Sequence, residues 1–137
     1  MILTNIRKFL LNCPYLEGGR INADFLSENP PAYAVYAENG EKNVKVYTDG
    51  SSLEQFIFSF RMRAEYSKQI SQNEKISLLF ENISDWITEE AQKGNFPDIG
   101  QDKEIQNLEV VSSGHIKNTN AADCVYEMKC RILYYRR

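Results

Sequence analysis

The sequence predicts an α+β domain in which two helices pack on one face of a mostly antiparallel five-stranded sheet, in the order helix, three strands, helix, two strands. Three observations carry that expectation. From Cys124 to Tyr135 the chain alternates, with Cys124, Tyr126, Met128, Cys130, Ile132 and Tyr134 on one side, the period-two pattern of a strand with an apolar face. Leu53 to Tyr66 does the same, with Phe56, Phe58, Phe60 and Met62 at even positions and Ser59, Arg61 and Arg63 at odd ones. Between them Ile76, Leu79, Phe80, Ile83, Trp86, Ile87 and Ala91 recur at three-and-four spacing, which is an amphipathic helix. A sheet face and a helix stripe each need apolar cover, so the helices are expected to lie on the sheet.

Leu3, Ile6, Phe9, Leu10 and Cys13 fall at helical spacing, with Thr4 or Asn5 available as a cap and Pro14 as a stop, and predict a short first helix. Tyr15 to Pro31 mixes Gly18, Gly19, Asn29, Pro30 and Pro31 with the apolar Ile21, Phe25 and Leu26, which reads as an irregular connection pinned to the core. Ala32 to Glu38 and Val44 to Thr48 are rich in Tyr and Val and flank Asn39-Gly40, the pattern of a hairpin. Asp49-Gly50 makes the next turn and leads into the long strand from Leu53, expected at the centre of the sheet. Ser71 and Glu74 have the spacing of a capping box for the second helix, and Gly94 follows its end. Ile105 to Val111 and the closing run then give two strands, joined through Ser112-Ser113-Gly114 and the polar Lys117 to Ala122.

A chain of 137 residues, 42% hydrophobic and 12% aromatic, is the size and composition of one ordered domain, here 1–137, burying about two thirds of its unfolded surface. The net charge of −3 comes from 19 acidic and 16 basic residues scattered along the sequence, so the strong basic field of a specific nucleic-acid binder is not expected. Arg7 and Lys8 interrupt the first apolar stretch, which is unlike a secretory signal, and no apolar run reaches membrane-spanning length. A soluble, intracellular protein without a membrane partner is expected. Cys13, Cys124 and Cys130 are odd in number and lack a CxxC pair, which favours reduced thiols. Cys124 and Cys130 lie six residues apart on one strand face, roughly 20 Å, too far for a bond.

Catalytic chemistry finds little purchase. His115 follows Ser112-Ser113-Gly114, but no Asp or Glu follows closely to orient the imidazole. A metal would have to take Cys124, Cys130 and His115, two of them on an apolar strand face. Glu89-Glu90 and Glu38 with Glu41 read as solvated charge. Gly18-Gly19 lacks the strand-to-helix setting of a phosphate loop. Arg61, Arg63, Lys45 and Tyr47 would make only a small basic patch. No enzyme, cofactor or metal site is therefore expected. The odd positions of the two long strands are more telling. Leu53, Ile57, Val125, Leu133 and Tyr135 would leave apolar area on the side away from the helices, with Arg61 among them; a patch of that kind commonly marks a protein contact surface, and the alternative is that the sheet curls and covers it.

Several segments together resemble a known group. Asn12-Cys13-Pro14-Tyr15-Leu16, Gly19-Arg20-Ile21-Asn22, Phe25-Leu26, Asp49-Gly50-Ser51 and Gln55-Phe56-Ile57-Phe58 are followed by Trp86, Gly94-Asn95-Phe96-Pro97-Asp98, Ser112-Ser113-Gly114 and Cys130-Arg131-Ile132-Leu133-Tyr134-Tyr135. This order is similar to that of a family of phage tail-terminator, or tail-completion, proteins encoded in prophages of Gram-positive bacteria. The resemblance implies a small α+β subunit that forms a hexameric ring on the end of the tail tube, stops its polymerisation and offers the surface on which the head docks. The implied partners are further copies of the chain, the tail tube protein and the head connector protein. The implied location is the bacterial cytoplasm during assembly and then the virion tail. A small intracellular adaptor that binds another protein through the same sheet face is the alternative. An enzyme centred on Ser112, Ser113 and His115 ranks last.

Overall fold

The computed structural model describes residues 2–16, 21–24, 26, 32–38, 42–65, 70–119 and 123–136, with backbone alone at 64–65, 70–73, 113–119 and 123–124. Eight elements follow in the order α1 (Ile2–Leu10), β1 (Ile21–Ala23), β2 (Ala32–Ala37), β3 (Asn43–Val46), β4 (Ser52–Glu65), α2 (Ile70–Gln92), β5 (Lys103–Thr119) and β6 (Asp123–Arg136). The fold is α+β as expected, with a six-stranded sheet in place of five and four strands ahead of α2 in place of three. The sheet runs β1-β2-β4-β6-β5, and β3 pairs with β4 off that path. Among the described residues only β1 and β2 are parallel.

The centre is the β4–β6 ladder, which runs without a shift from Ser52↔Arg136 to Glu65↔Asp123. Its parity sets the two faces. Phe58↔Cys130, Phe60↔Met128 and Met62↔Tyr126 turn to one side, where all six side chains are buried. Phe80, Ile83 and Ile87 of α2 bury their stripe there, with the Phe80 ring 6.0 Å from Phe60 and 5.7 Å from Tyr126. Leu3, Ile6 and Leu10 of α1 enter the same core, and Phe9 meets Trp86 at 5.2 Å to join the two helices. α2 ends at Gln92 and is closed off by Gly94, whose φ of 79° is the left-handed conformation that glycine adopts without strain, while Asn95 N–H bonds back to the Glu90 carbonyl at 2.9 Å.

Four expectations are corrected. The connection from Tyr15 to Pro31 contains β1, which adds to β2 through Ile21↔Tyr33 and buries Ile21; three residues are too few to show periodicity in the sequence. β2 and β3 do not pair with each other as a hairpin. Both lie along the same edge of β4, β2 against 58–63 and β3 against 52–54, because a 14-residue strand has room for both. The expected Asn39-Gly40 turn lies outside the described residues. β5 continues to Thr119 through residues read as a connection, since register shifts at Ile105/Asn107, Val110/Ser112, Ser112/His115 and Ile116/Asn118 absorb them. Finally, α1 and α2 open at Ile2 and Ile70, ahead of the proposed caps Thr4, Asn5 and Ser71, and α1 ends at Leu10, short of Cys13.

Phe60 is the hub of the core, fully buried and stacked on Tyr33 at 6.0 Å as well as against Phe80. Phe60→Ala is expected to cost about 3–5 kcal/mol of stability in urea denaturation; a loss below about 1 kcal/mol would contradict this packing.

Candidate functional site

The odd positions of β4 and β6 form the sheet face turned away from the helices. The ladder sets Leu53 beside Tyr135, Gln55 beside Leu133, Ile57 beside Arg131, Ser59 beside Lys129, Arg61 beside Glu127 and Arg63 beside Val125. All six residues proposed as an interface, Leu53, Ile57, Arg61, Val125, Leu133 and Tyr135, therefore share one face. The face divides into an ion-paired half and an apolar half.

In the first half, Arg61 Nε donates to Glu127 Oε2 at 2.8 Å and Nη2 donates to Glu38 Oε1 at 3.1 Å. The same Glu38 oxygen accepts the Ser59 hydroxyl at 2.7 Å, and the guanidinium lies 4.0 Å over the Tyr36 ring. The Glu127 side chain is only 3% exposed. A carboxylate that far from water needs a fixed cation, and a planar guanidinium bonded on two sides and stacked on an aromatic ring supplies one. Arg61 is thus engaged within the chain, with 18% of its side chain exposed, and Val125, at 8%, offers little open area. Arg131 extends the polar region: its Nη1 donates to Gln55 Oε1 at 3.4 Å, its other terminal nitrogen pairs with Glu109, and its Nε is buried without a partner. Ile57, Glu109, Val111, Lys129 and Arg131 line a groove of about 550 Å³ on this face.

In the second half, Leu53, Ile57, Leu133 and Tyr135 are half-buried. The Tyr135 hydroxyl donates to Ser51 Oγ at 2.8 Å, and its ring lies 5.9 Å from Tyr47, over which Lys45 Nζ rests at 5.2 Å. Ser51 is itself held by the Asp49 carboxylate, through both its hydroxyl and its N–H, so the turn residues read from the sequence also fix the Tyr135 phenol.

Behind this end, on the helix side, sits Glu54, with 6% of its side chain exposed. Burial works to raise its pKa. Hydrogen bonds from the Tyr134 and Ser52 hydroxyls, each at 2.8 Å, and the charges of Lys42 and Arg136 outweigh that and hold the carboxyl below its usual value. Burial, and then the bond to this carboxylate, push the Tyr134 phenol up.

Other candidate sites take definite positions. Lys45 pairs with Leu53, eight residues along β4 from Arg61 and so about 27 Å away. The proposed patch of Arg61, Arg63, Lys45 and Tyr47 is therefore not assembled, because it depended on the β2–β3 hairpin. The backbone of His115 lies opposite Glu127, and Ser112 opposite Lys129, with the Ser112 hydroxyl buried and without a partner among the described residues. The side chains of Ser113, His115 and Cys124 lie outside the described residues, as do Gly18, Gly19 and Glu41. Cys130 is fully buried, and burial pushes its thiol up to about 12, far from a thiolate ligand or nucleophile. Cys13 is buried and shifted in the same direction by the same cause. Among the described residues, no three or more His, Cys, Asp and Glu side chains converge to hold a metal, and no helix is long and apolar enough to cross a membrane. Glu127 as the partner of Arg61 had no local trace in the sequence, because 66 residues separate the two; aligning the two alternating strands in register would have found it.

Arg61→Met, which takes the guanidinium away from the buried Glu127 carboxylate, is expected to cost about 3 kcal/mol, with Arg61→Met/Glu127→Leu recovering most of the loss in thermal or urea denaturation. Failure of the double variant to recover would contradict the pairing. A depressed folded-state pKa makes the Glu54 contribution present above its ordinary value of 4.5 and lost as the pH falls through the lower folded value. Melting temperature should therefore drop on acidification below 4.5, and less steeply in Glu54→Gln; parallel curves for the two proteins would contradict this assignment. Set against models of known protein families the chain matches none, and no curated protein is a match to it.

Proposed function

We propose that this chain is a structural subunit of a phage tail, which forms a ring on the end of the tail tube, ends tube polymerisation and provides the surface on which the head docks. The single observation that carries the reading is the cluster of half-buried Leu53, Ile57, Leu133 and Tyr135 on the sheet face opposite the helices. Apolar side chains concentrated at one end of a face, beside an ion-paired remainder, suit a contact that excludes water at one place and fixes orientation at another. The resemblance of the order of its sequence segments to that of tail-completion proteins suggests the particular assembly.

In this reading the chain binds further copies of itself in a hexameric ring, the tail tube protein and the head connector, with no turnover and no cofactor. A ring of identical copies joins two different surfaces of each subunit around an axis. Leu53, Ile57, Leu133 and Tyr135 belong to one such surface, while Arg61 and Val125 hold the strands that present it. Tails assembled without the gene are expected to vary in length and to lack heads in electron micrographs, and complementation with Ile57→Asp or Leu133→Asp should leave that defect in place. Headed tails of uniform length in the absence of the gene would overturn the proposal.

A further inference from the structure

We propose that copies of this chain join edge to edge, the exposed edge of β3 in one copy adding antiparallel to the start of β5 in the next, with Lys45 set opposite Glu104. This contact deepens the reading given above and rests on self-assembly. Among the described residues β3 is bonded on one side only, to β4, and β5 on one side only, to β6. Among the described residues they are the two open edges at this end of the sheet, with backbone donors and acceptors for another strand, although Lys103 N–H is bonded to the Gly100 carbonyl and the Glu104 carbonyl accepts from the Gln106 side-chain amide at 3.5 Å.

The side chains on the two edges match. One row of neighbours crosses the four strands at this end of the sheet on the face away from the helices, Lys45, Leu53, Tyr135 and Glu104, and it ends in an exposed cation at one edge and an exposed carboxylate at the other. Such a row is complementary to itself from head to tail. The strand directions agree as well. β3, β4, β6 and β5 alternate in sense, so β3 and β5 run in opposite directions and a neighbour in the same orientation continues the antiparallel order. With Lys45 opposite Glu104, antiparallel counting brings Val44 opposite Ile105 and Val46 opposite Lys103. Val44 and Val46 are 50% and 65% exposed, and in this register Val44 gains an isoleucine and Val46 the aliphatic stem of a lysine.

Edge strands are commonly protected by being short, bulged and lysine-bearing, and β3 is all three, with four residues, a shift between Asn43 and Lys45, and Lys45 itself. These features prevent indiscriminate pairing while leaving the edge open to a partner strand that carries a carboxylate at the matching position. Four residues make a small contact, so each junction is weak alone and gains from closure of a ring in which every copy is held twice.

The test is light scattering across a concentration series on the full chain, comparing wild type with Lys45→Glu, Glu104→Lys and the double reversal. Both positions are exposed, and a thermal melt confirms that each variant folds. Wild type is expected to associate as concentration rises, each single reversal to weaken association about tenfold or more, as replacing an attractive cross-strand pair by a repulsive one implies, and the double reversal to restore it. A wild type that stays monomeric throughout overturns self-assembly, and this contact with it. A wild type that associates while neither single reversal weakens it overturns the edge contact alone, as does a double reversal that fails to restore what the single ones lose.

Discussion

Everything in this molecule depends on the register of β4 against β6. Fourteen consecutive pairs hold without a shift, and because successive side chains point to opposite faces, that register decides which side of the sheet is core. A slip of one residue would turn Ser59, Arg61 and Arg63 under the helices and expose Phe58, Phe60 and Met62. The apolar stripe of α2, the docking of α1 and the burial of Cys130 all follow from this alignment. So does the meeting of Arg61 with Glu127.

That pair shows how the face opposite the helices is organised. A carboxylate as enclosed as Glu127 would be costly alone, and Arg61 offsets the cost by bonding to Glu127 and Glu38 while its plane lies on Tyr36. The charges in the middle of the face are therefore largely satisfied within the chain. The apolar part of the face is displaced toward the end near β3, where Leu53, Leu133, Tyr135, Tyr47 and Lys45 gather. Glu54 anchors the same end from behind by collecting Tyr134, Ser52, Lys42 and Arg136. A polar anchor under an apolar surface keeps the strand ends straight where they would otherwise fray.

Much of this was legible in the sequence wherever one pattern ran long enough to repeat. The alternation in 53–66 and 124–135 located the two central strands within a residue or two and identified both faces, so Leu53, Ile57, Leu133 and Tyr135 were correctly placed together. The three-and-four spacing of 76–91 located α2. What failed had no repeat to read. β1 has three residues. β2 and β3 have sound strand composition, but composition does not say which partner a strand takes, and an Asn-Gly between two runs suggested each other in place of β4. β5 was legible only over 105–111, because register shifts beyond it break the alternation that reveals strands. The ion pair at the heart of the outer face, and the isolation of Lys45 from Arg61, are properties of pairing, which becomes visible only when the strands are laid side by side.

The bonds that define this sheet join residues far apart along the chain: Arg61 reaches across 66 positions to Glu127, and Tyr135 across 84 to Ser51. Contacts of such separation are slow to find, since the entropy of closing a long loop is lost before any stabilisation returns. Until β6 arrives, β4 has a long edge of unpaired backbone groups, and unpaired strand edges of that kind clump when chains are crowded. Yield of native protein should accordingly be governed less by final stability than by how dilute, cool or chaperoned the chain is during that wait.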